Sequence, residues 1–304
     1  MEQLTSRKNH PLLTIVTVNF NNAEGLEKTL RSVLMQSFDD YEHIIIDAKS
    51  TDKSVGIIRE YAGETTKLSF WSSEQDKGIY DGMNKGILRA KGTYLLFLNS
   101  GDCLNGDILK SVPFDGTDYI CGHSLSRNEN GDRMLESPDR IDLAYLYDDS
   151  LPHQSCFIKR KLFNGHLYDI HYRIVSDWIH SVDSLVLYGY TYKSIPLIVA
   201  ICDGTGISQN TTAVNAEKAK WFQQEMYGHL EKLIVDLADG RDEKRRTYLA
   251  RNFYPMLCDY VDYHKSRLQP VIHYLNKTDK FEKRVLKIIT FLCSLNKIFS
   301  GHRF

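Results

Sequence analysis

Four polar clusters hold the residue types that bind cations, anions and N–H donors: Asn19-Phe20-Asn21, Asp47, Glu74-Gln75-Asp76 and Asn99-Ser100-Gly101-Asp102. Carboxylates hold divalent ions through oxygen and accept hydrogen bonds from amides and bases. Any one cluster taken alone reads as a helix cap or a turn. What joins them is that each stands just past a short apolar run, and three independent carboxylate positions in such places are hard to explain by solvation.

Those apolar runs are the elements that must position the clusters. Leu12–Phe20, His43–Asp47, Leu68–Ser73 and Tyr94–Leu98 read as buried strands. Between them lie helical patterns over Ala23–Gln36, Ser54–Tyr61 and Ile79–Ala90, the last with Gly92 just beyond its end. Strands alternating with helices predict βαβ units and a parallel sheet, in which ligands bind at the carboxyl ends of the strands. Further on, Tyr119–Leu125 and Tyr190–Ala200 are strand candidates and Val175–Leu187 a helix. From Ala213 the pattern is mostly helical. The expected organisation is a domain over residues 1–210 and a helical region over 211–304.

The chain has 304 residues and a formal net charge of -1, which argues against nucleic acid as a partner. Its 18 tyrosines suit either sugar stacking or helix contacts. Its cysteines form no CxxC pair, so neither a disulfide framework nor a zinc knuckle is expected, and a reducing cytoplasm is the natural setting. Met1–His10 lacks an apolar core, so no secretory signal is expected, and no run is long enough to span a bilayer.

The run SEQDKGIYDGMNKGILRAKGTYLLFLNSGD, from Ser73 to Asp102, closely resembles the family 2 glycosyltransferases of the GT-A fold. The bacterial branch that builds colanic acid, O-antigens and other surface polysaccharides shows a DKGIYDAMNKGI-like segment followed by a FLNSGD-like strand end. VTVNFNN at 16–22 and IIIDAKSTDKS at 44–54 match the family's first two strand ends. The resemblance is strong over about residues 11–110. It is looser over 150–208, through HQSCFIKRKLF, SDW and DGTGIS, and absent after 213.

The resemblance implies an α/β GT-A fold and transfer of a sugar from a nucleotide-sugar donor, a UDP-sugar before a GDP-sugar, to a hydroxyl of a glycan or lipid-diphosphate-linked acceptor. It implies a divalent cofactor, Mn²⁺ or Mg²⁺, to neutralise charge developing on the leaving phosphate. Asp102 is the expected metal carboxylate, or else the cap of a helix beginning near Gly106. Relatives often carry DxD here, and this chain has Asn99, which would hold a metal-bound water or a ribose hydroxyl. Asp47 resembles the nucleoside-binding acid. Because Ala48 follows it where many relatives have a second acid, Asp76 becomes the partner for the base N–H. Phe20 is expected to pack on the base. Asn84 either faces the donor or faces solvent.

Asp177 matches the family's downstream acid, the expected base in an inverting transfer, with helix capping as its alternative role. Asp169 and Asp183 are its rivals, the latter expected to face solvent. His153, Gln154 and Trp178 fall on the acceptor side, with a structural histidine and a core tryptophan as the other readings. Finally, residues 277–304 form a basic amphipathic pattern suited either to an anionic membrane or to packing on protein, including a second copy in a homodimer. The setting implied is the cytoplasm, at the cytoplasmic face of the inner membrane. Two other classes stay open: a non-catalytic scaffold, because NSGD is a thinned metal motif, and a sugar-phosphate nucleotidyltransferase, disfavoured because NFNNAEG has no Arg or Lys to grip triphosphate.

Overall fold

The computed structural model describes residues 10–224, apart from 129, 130, 142, 205 and 207–209. The basic amphipathic pattern at 277–304 lies outside the described residues, as do Thr205, Ile207 and Ser208 of DGTGIS. No helix among the described residues is long and apolar enough to cross a membrane.

The chain falls into two compact units. The first comprises residues 1–140, 151–180 and 190–214, and the second residues 141–150, 181–189 and 215–304.

The first unit opens with the expected alternation. Strands β1 (Leu13–Asn19), β2 (Tyr41–Asp47), β3 (Leu68–Ser73) and β4 (Tyr94–Phe97) alternate with helices α1 (Ala23–Leu34), α2 (Ser54–Glu64) and α3 (Ile79–Arg89). The four strands pair in parallel, in the order β3-β2-β1-β4. All seven residues of β1 and of β2 are buried, as parallel strands covered on both faces require.

Successive side chains on β1 point to opposite faces. Leu13 and Ile15 join the core that takes in Val33 of α1, while Val16 and Val18 meet α3. That second contact depends on glycine. A Cβ at Gly82 would lie 2.3 Å from Val18 Cγ1, and one at Gly86 would lie 2.4 Å from Val16 Cγ1. Helix α1 packs on α2 through Leu26, Leu30 and Ile58 over Ile45 of β2.

The sheet then extends through β5 (Cys103–Leu104), β6 (Tyr119–Asn128), β7 (Gly131–Leu135), β8 (Cys156–Lys159) and β9 (Tyr192–Asp203). Its full order is β3-β2-β1-β4-β8-β6-β9-β5, with β7 paired to β6. Strands β4–β8 and β6–β8 are antiparallel, whereas β6–β9 is parallel, so the sheet is mixed. Cys121 and Cys156 stand opposite each other on β6 and β8, 4.2 Å apart at Cα, and are joined as a disulfide. The absence of a CxxC pair gave no sign of this single bridge. Cross-strand partners 35 residues apart leave no local spacing signal.

The expected helix over 175–187 is also corrected. Helix α5 covers only Ser176–Ser181, and Val182–Leu187 forms a π-helical turn. Asp183, expected to face solvent, is 1% exposed. In the second unit this turn neighbours α4 (Leu143–Asp148). The Lys218 ammonium on α6 (Thr211–Gln224) donates to the carbonyls of Leu146 and Asp149 at 3.2 and 2.8 Å.

Candidate active site

Parallel register brings the last residues of β1, β2 and β3 side by side: Asn19 pairs with Asp47, and Asp47 with Ser73. Asp47 is fully buried and its carboxylate is saturated. Oδ1 accepts from Asn19 Nδ2 at 2.7 Å and Ser50 Oγ at 2.6 Å, and Oδ2 accepts from the Ser50 amide at 2.9 Å and Ser73 Oγ at 2.6 Å. The expected nucleoside contact through this carboxylate gives way to a bracing role, because four internal donors occupy both oxygens. Asn21, at φ 46°, extends the brace. Its amide donates to Ser50 Oγ and its side-chain oxygen accepts from the Thr51 amide, each at 2.8 Å.

Replacing Asp47 with Ala strands four donors, the buried Asn19 amide among them, each worth about 1–3 kcal/mol when left unpaired away from water. We expect a loss of at least about 3 kcal/mol in urea unfolding at an unchanged m-value. A loss under about 1 kcal/mol would show that the brace carries little.

Beyond this brace a cleft of about 480 Å³ opens, within the roughly 300–1,000 Å³ typical of ligand sites. Phe20, Ala48, Asp76, Ile79, Asn99 and Ser100 are among its walls. Phe20 is 64% exposed, an unusual placing for a large ring and one that leaves its face open to a planar ligand. Burial raises the pKa of Asp76 against the pull of the Gly78 amide, which donates to its Oδ1 at 2.9 Å.

The turn after β4 is held from behind by a residue that sequence reasoning missed. The buried Thr29 hydroxyl lies 2.7 Å from the Asp102 carbonyl and 3.2 Å from that of Asn99, and accepts from the Gly101 amide at 3.0 Å. Gly101 takes φ 105°, which favours glycine. Asp102 is 7% exposed, and near Gly106 there is only a 3₁₀ turn over Leu109–Ser111, whose N-cap is Ile108 and which Asp102 does not cap. Its Oδ1 accepts from the Asp203 amide at 3.2 Å, and the Gln154 side chain bonds to it as well. Burial pushes the Asp102 pKa up to about 6, partly countered by the nearby His153.

Asn99 links the cleft to the downstream acid. Its Nδ2 lies 3.3 Å from His153 Nε2, and His153 Nδ1 lies 3.0 Å from Asp177 Oδ2. Asn99 Oδ1 is buried with no partner. Tyr80, also missed although it sits inside the diagnostic segment, places its hydroxyl 2.7 Å from both Asp177 Oδ1 and the Ile174 carbonyl. The Trp178 amide donates to Asp177 Oδ1 at 2.9 Å.

Burial works to raise the pKa of Asp177, but the His153 pairing and the Tyr80 and Trp178 donors outweigh it, and the net shift is downward. Burial likewise opposes the charge on His153, and pairing with Asp177 wins, raising its pKa. The side chains of His153 and Asp177 keep 22% and 19% of their surface accessible, so a hydroxyl can approach them.

The remaining candidates fall elsewhere. Asn84 is buried, with its Nδ2 donating to the Tyr168 carbonyl at 2.8 Å and its Oδ1 accepting from the Tyr168 amide at 3.0 Å. It clasps the 163–172 loop and faces neither donor nor solvent. Trp178 is 3% exposed, a core residue, which corrects its acceptor-side placing. Asp169 accepts from His171 in an exposed loop. Among the described residues no group of three or more His, Cys, Asp or Glu side chains is placed to hold an ion.

Comparison with known proteins points to one family. A glycosyltransferase of PGL/p-HBAD biosynthesis from Mycobacterium tuberculosis is 29% identical over 210 residues, covering 66% of this chain and 80% of that protein. S. aureus TarS 1-349 in complex with UDP-GlcNAc superposes with a TM-score of 0.58 at 16% identity, covering 84% of this chain and 72% of that one; against the longer TarS chain the share is 43%. The mannosyltransferase PcManGT from Pyrobaculum calidifontis, in complex with GDP-Man and Mn²⁺, superposes with a TM-score of 0.51 at 15% identity, covering 96% of this chain and 88% of that one. At these identities the two structures speak for the fold alone. The sequence model of glycosyl transferase family 2 matches residues 14–171, more than half the chain, and the protein belongs to that family.

Proposed function

We propose that the protein transfers a sugar from a UDP-sugar, with inversion at C1, to a hydroxyl of a glycan or lipid-linked acceptor in the building of a bacterial surface polysaccharide. The observation that carries the reading is the continuous path from Phe20 and Asp76 across Asn99 to His153 and Asp177. It runs from a nucleotide-sized cleft to an ionised carboxylate.

In this reading Phe20 stacks on the base and Asp76 accepts from its N–H. The acceptor oxygen attacks C1 as the C1–O bond to the β-phosphate breaks, its electron pair leaving with UDP. The acceptor's proton passes to Asp177, which Tyr80, His153 and the Trp178 amide hold in one orientation. A divalent ion, Mn²⁺ or Mg²⁺, supplies charge neutralisation at the diphosphate when bound. Asp102 and the orphaned Asn99 Oδ1 fit such an ion. They are one buried carboxylate, whose raised pKa a cation would relieve, and one neutral oxygen, a sparse protein set of the kind that leaves positions for phosphate oxygens.

Thermal shifts with UDP, GDP, CMP and dTDP in the presence of Mn²⁺ test the donor. A ligand at about 100 times its Kd adds about 2.7 kcal/mol of stability, and UDP should give the largest shift. A larger shift with GDP would overturn the uracil assignment, and no shift with any of the four would overturn the donor cleft.

A further inference from the structure

The cleft has two polar ends, with Val18, Phe20, Ala48 and Ile79 as apolar walls. Asn99 and Ser100, after β4, form one end, and Gln75 and Asp76, after β3, form the other. In the order β3-β2-β1-β4 the two ends stand three strand spacings apart, about 14 Å. Most of the polar side chains in its walls already have partners. Asn19 Nδ2 donates to Asp47 Oδ1, Asn99 Nδ2 lies against His153, and Asp76 Oδ1 accepts the Gly78 amide. Gln75 differs. Its side chain is exposed and makes no hydrogen bond or ion pair among the described residues. The backbone that carries it is fixed on both sides: the Glu74 amide donates to the Asp47 carbonyl at 2.9 Å, and the Lys85 ammonium to the Gln75 carbonyl at 3.2 Å. An unused amide on a pinned stretch of chain can meet a ligand at little ordering cost.

We propose that Gln75 is a specificity-determining residue for the nucleobase, its side-chain N–H donating to a ring carbonyl that flanks the N–H held by Asp76. This rests on the reading of the cleft as the donor site. An ionised carboxylate can only accept. Uracil presents one N–H between two carbonyls, so Asp76 satisfies the N–H and each carbonyl still needs a donor. Among the side chains lining the cleft, Asn19 and Asn99 have committed their N–H groups, and the Ser100 hydroxyl stands at the far end. Gln75, next in sequence to Asp76, is the donor at the base end. The pair also disfavours the other bases. Cytosine turns a bare ring nitrogen towards the acid, and like faces like. Guanine sets an amino group beside its N–H and asks for both carboxylate oxygens, one of which already holds the Gly78 amide. A base whose edge is left unpaired loses affinity.

The test uses the full chain with Mn²⁺ and calorimetric titration of UDP, 2-thio-UDP and 4-thio-UDP. Sulfur accepts hydrogen bonds weakly, so each analogue removes one carbonyl acceptor and keeps the N–H. We expect the unaltered chain to bind at least one analogue about three- to tenfold more weakly than UDP, the range of one hydrogen bond. Gln75→Ala and Gln75→Glu, the second keeping the side chain's size without its donor, should lose UDP affinity by at least a similar factor. In both variants the gap between UDP and that analogue should close to within about twofold, and the analogue concerned names the carbonyl. UDP affinity that stays within about twofold in both variants, or a gap that survives in both, overturns the proposal. If UDP does not bind the unaltered chain, the donor reading itself falls. UDP bound equally by the unaltered chain and both variants leaves that reading standing and removes only Gln75.

Discussion

Replacing Asp177 with Asn is expected to lower kcat by roughly 10²–10⁴-fold, the range that a positioned general base contributes. Asparagine keeps the size of the side chain and an oxygen able to accept from Tyr80 and the Trp178 amide. What it loses is the charge that takes the acceptor's proton and pairs with His153. UDP affinity should stay within about twofold, because Asp177 lies beyond Asn99 and His153 from the nucleotide cleft, so the loss falls on kcat and not on donor KM. The variant should also titrate differently, since His153 loses the partner that raises its pKa. Steady-state transfer kinetics beside a UDP titration check this. Turnover like that of the unaltered enzyme would remove Asp177 from the mechanism.

The second large effect is expected at Asp102. Its carboxylate is buried, with a pKa of about 6, so ionisation there costs the fold unless a cation lies close. Asp102→Asn removes that cost and also the anionic ligand. Transfer should therefore fall by roughly 10²-fold or more, as expected when several kcal/mol of charge stabilisation are lost. The sign with pH follows from the same shift. An acid whose folded pKa is raised weighs against the native state as pH rises through that pKa, so its ionised form is strained at pH 7.5 and neutralised at pH 5. Mn²⁺ added with UDP should raise Tm more at pH 7.5 than at pH 5 in the unaltered protein, and the difference should shrink in Asp102→Asn. An Asp102→Asn enzyme with full Mn²⁺ dependence would place the ion elsewhere.

The parts of the fold that the sequence announced are those whose signals are local. Strands β1–β4 are short, continuous apolar runs, so their ends were placed within a residue or two. Helix α3 begins at Ile79, where its apolar spacing puts it. The mixed half of the sheet was less legible. Strand β8 lies between β4 and β6, and β6 pairs with both β8 and β9, through contacts that no local pattern encodes. The Cys121–Cys156 pair escaped for the same reason.

The site shows the same division. Acids at strand ends can be seen in a sequence, but which hydroxyls converge on them cannot. Asp47 could be placed beside the cleft, while its enclosure by Ser50 and Ser73 depends on register. Asn84 could be placed on α3, while its face was decided by Tyr168, 84 residues away. Asp183 was assigned to solvent by continuing an ideal helix through a segment that turns π-helical. Thr29 and Tyr80 were missed because a buried threonine and an aromatic in an amphipathic helix look like ordinary packing.

Diffraction from crystals soaked with UDP and Mn²⁺, with anomalous data at the manganese edge, tests the central claim most directly. The account predicts the uracil between Phe20 and Asp76, and an anomalous peak in coordination contact with Asp102 and the β-phosphate. A nucleotide bound outside the cleft, or a manganese peak remote from both Asn99 and Asp102, would contradict it.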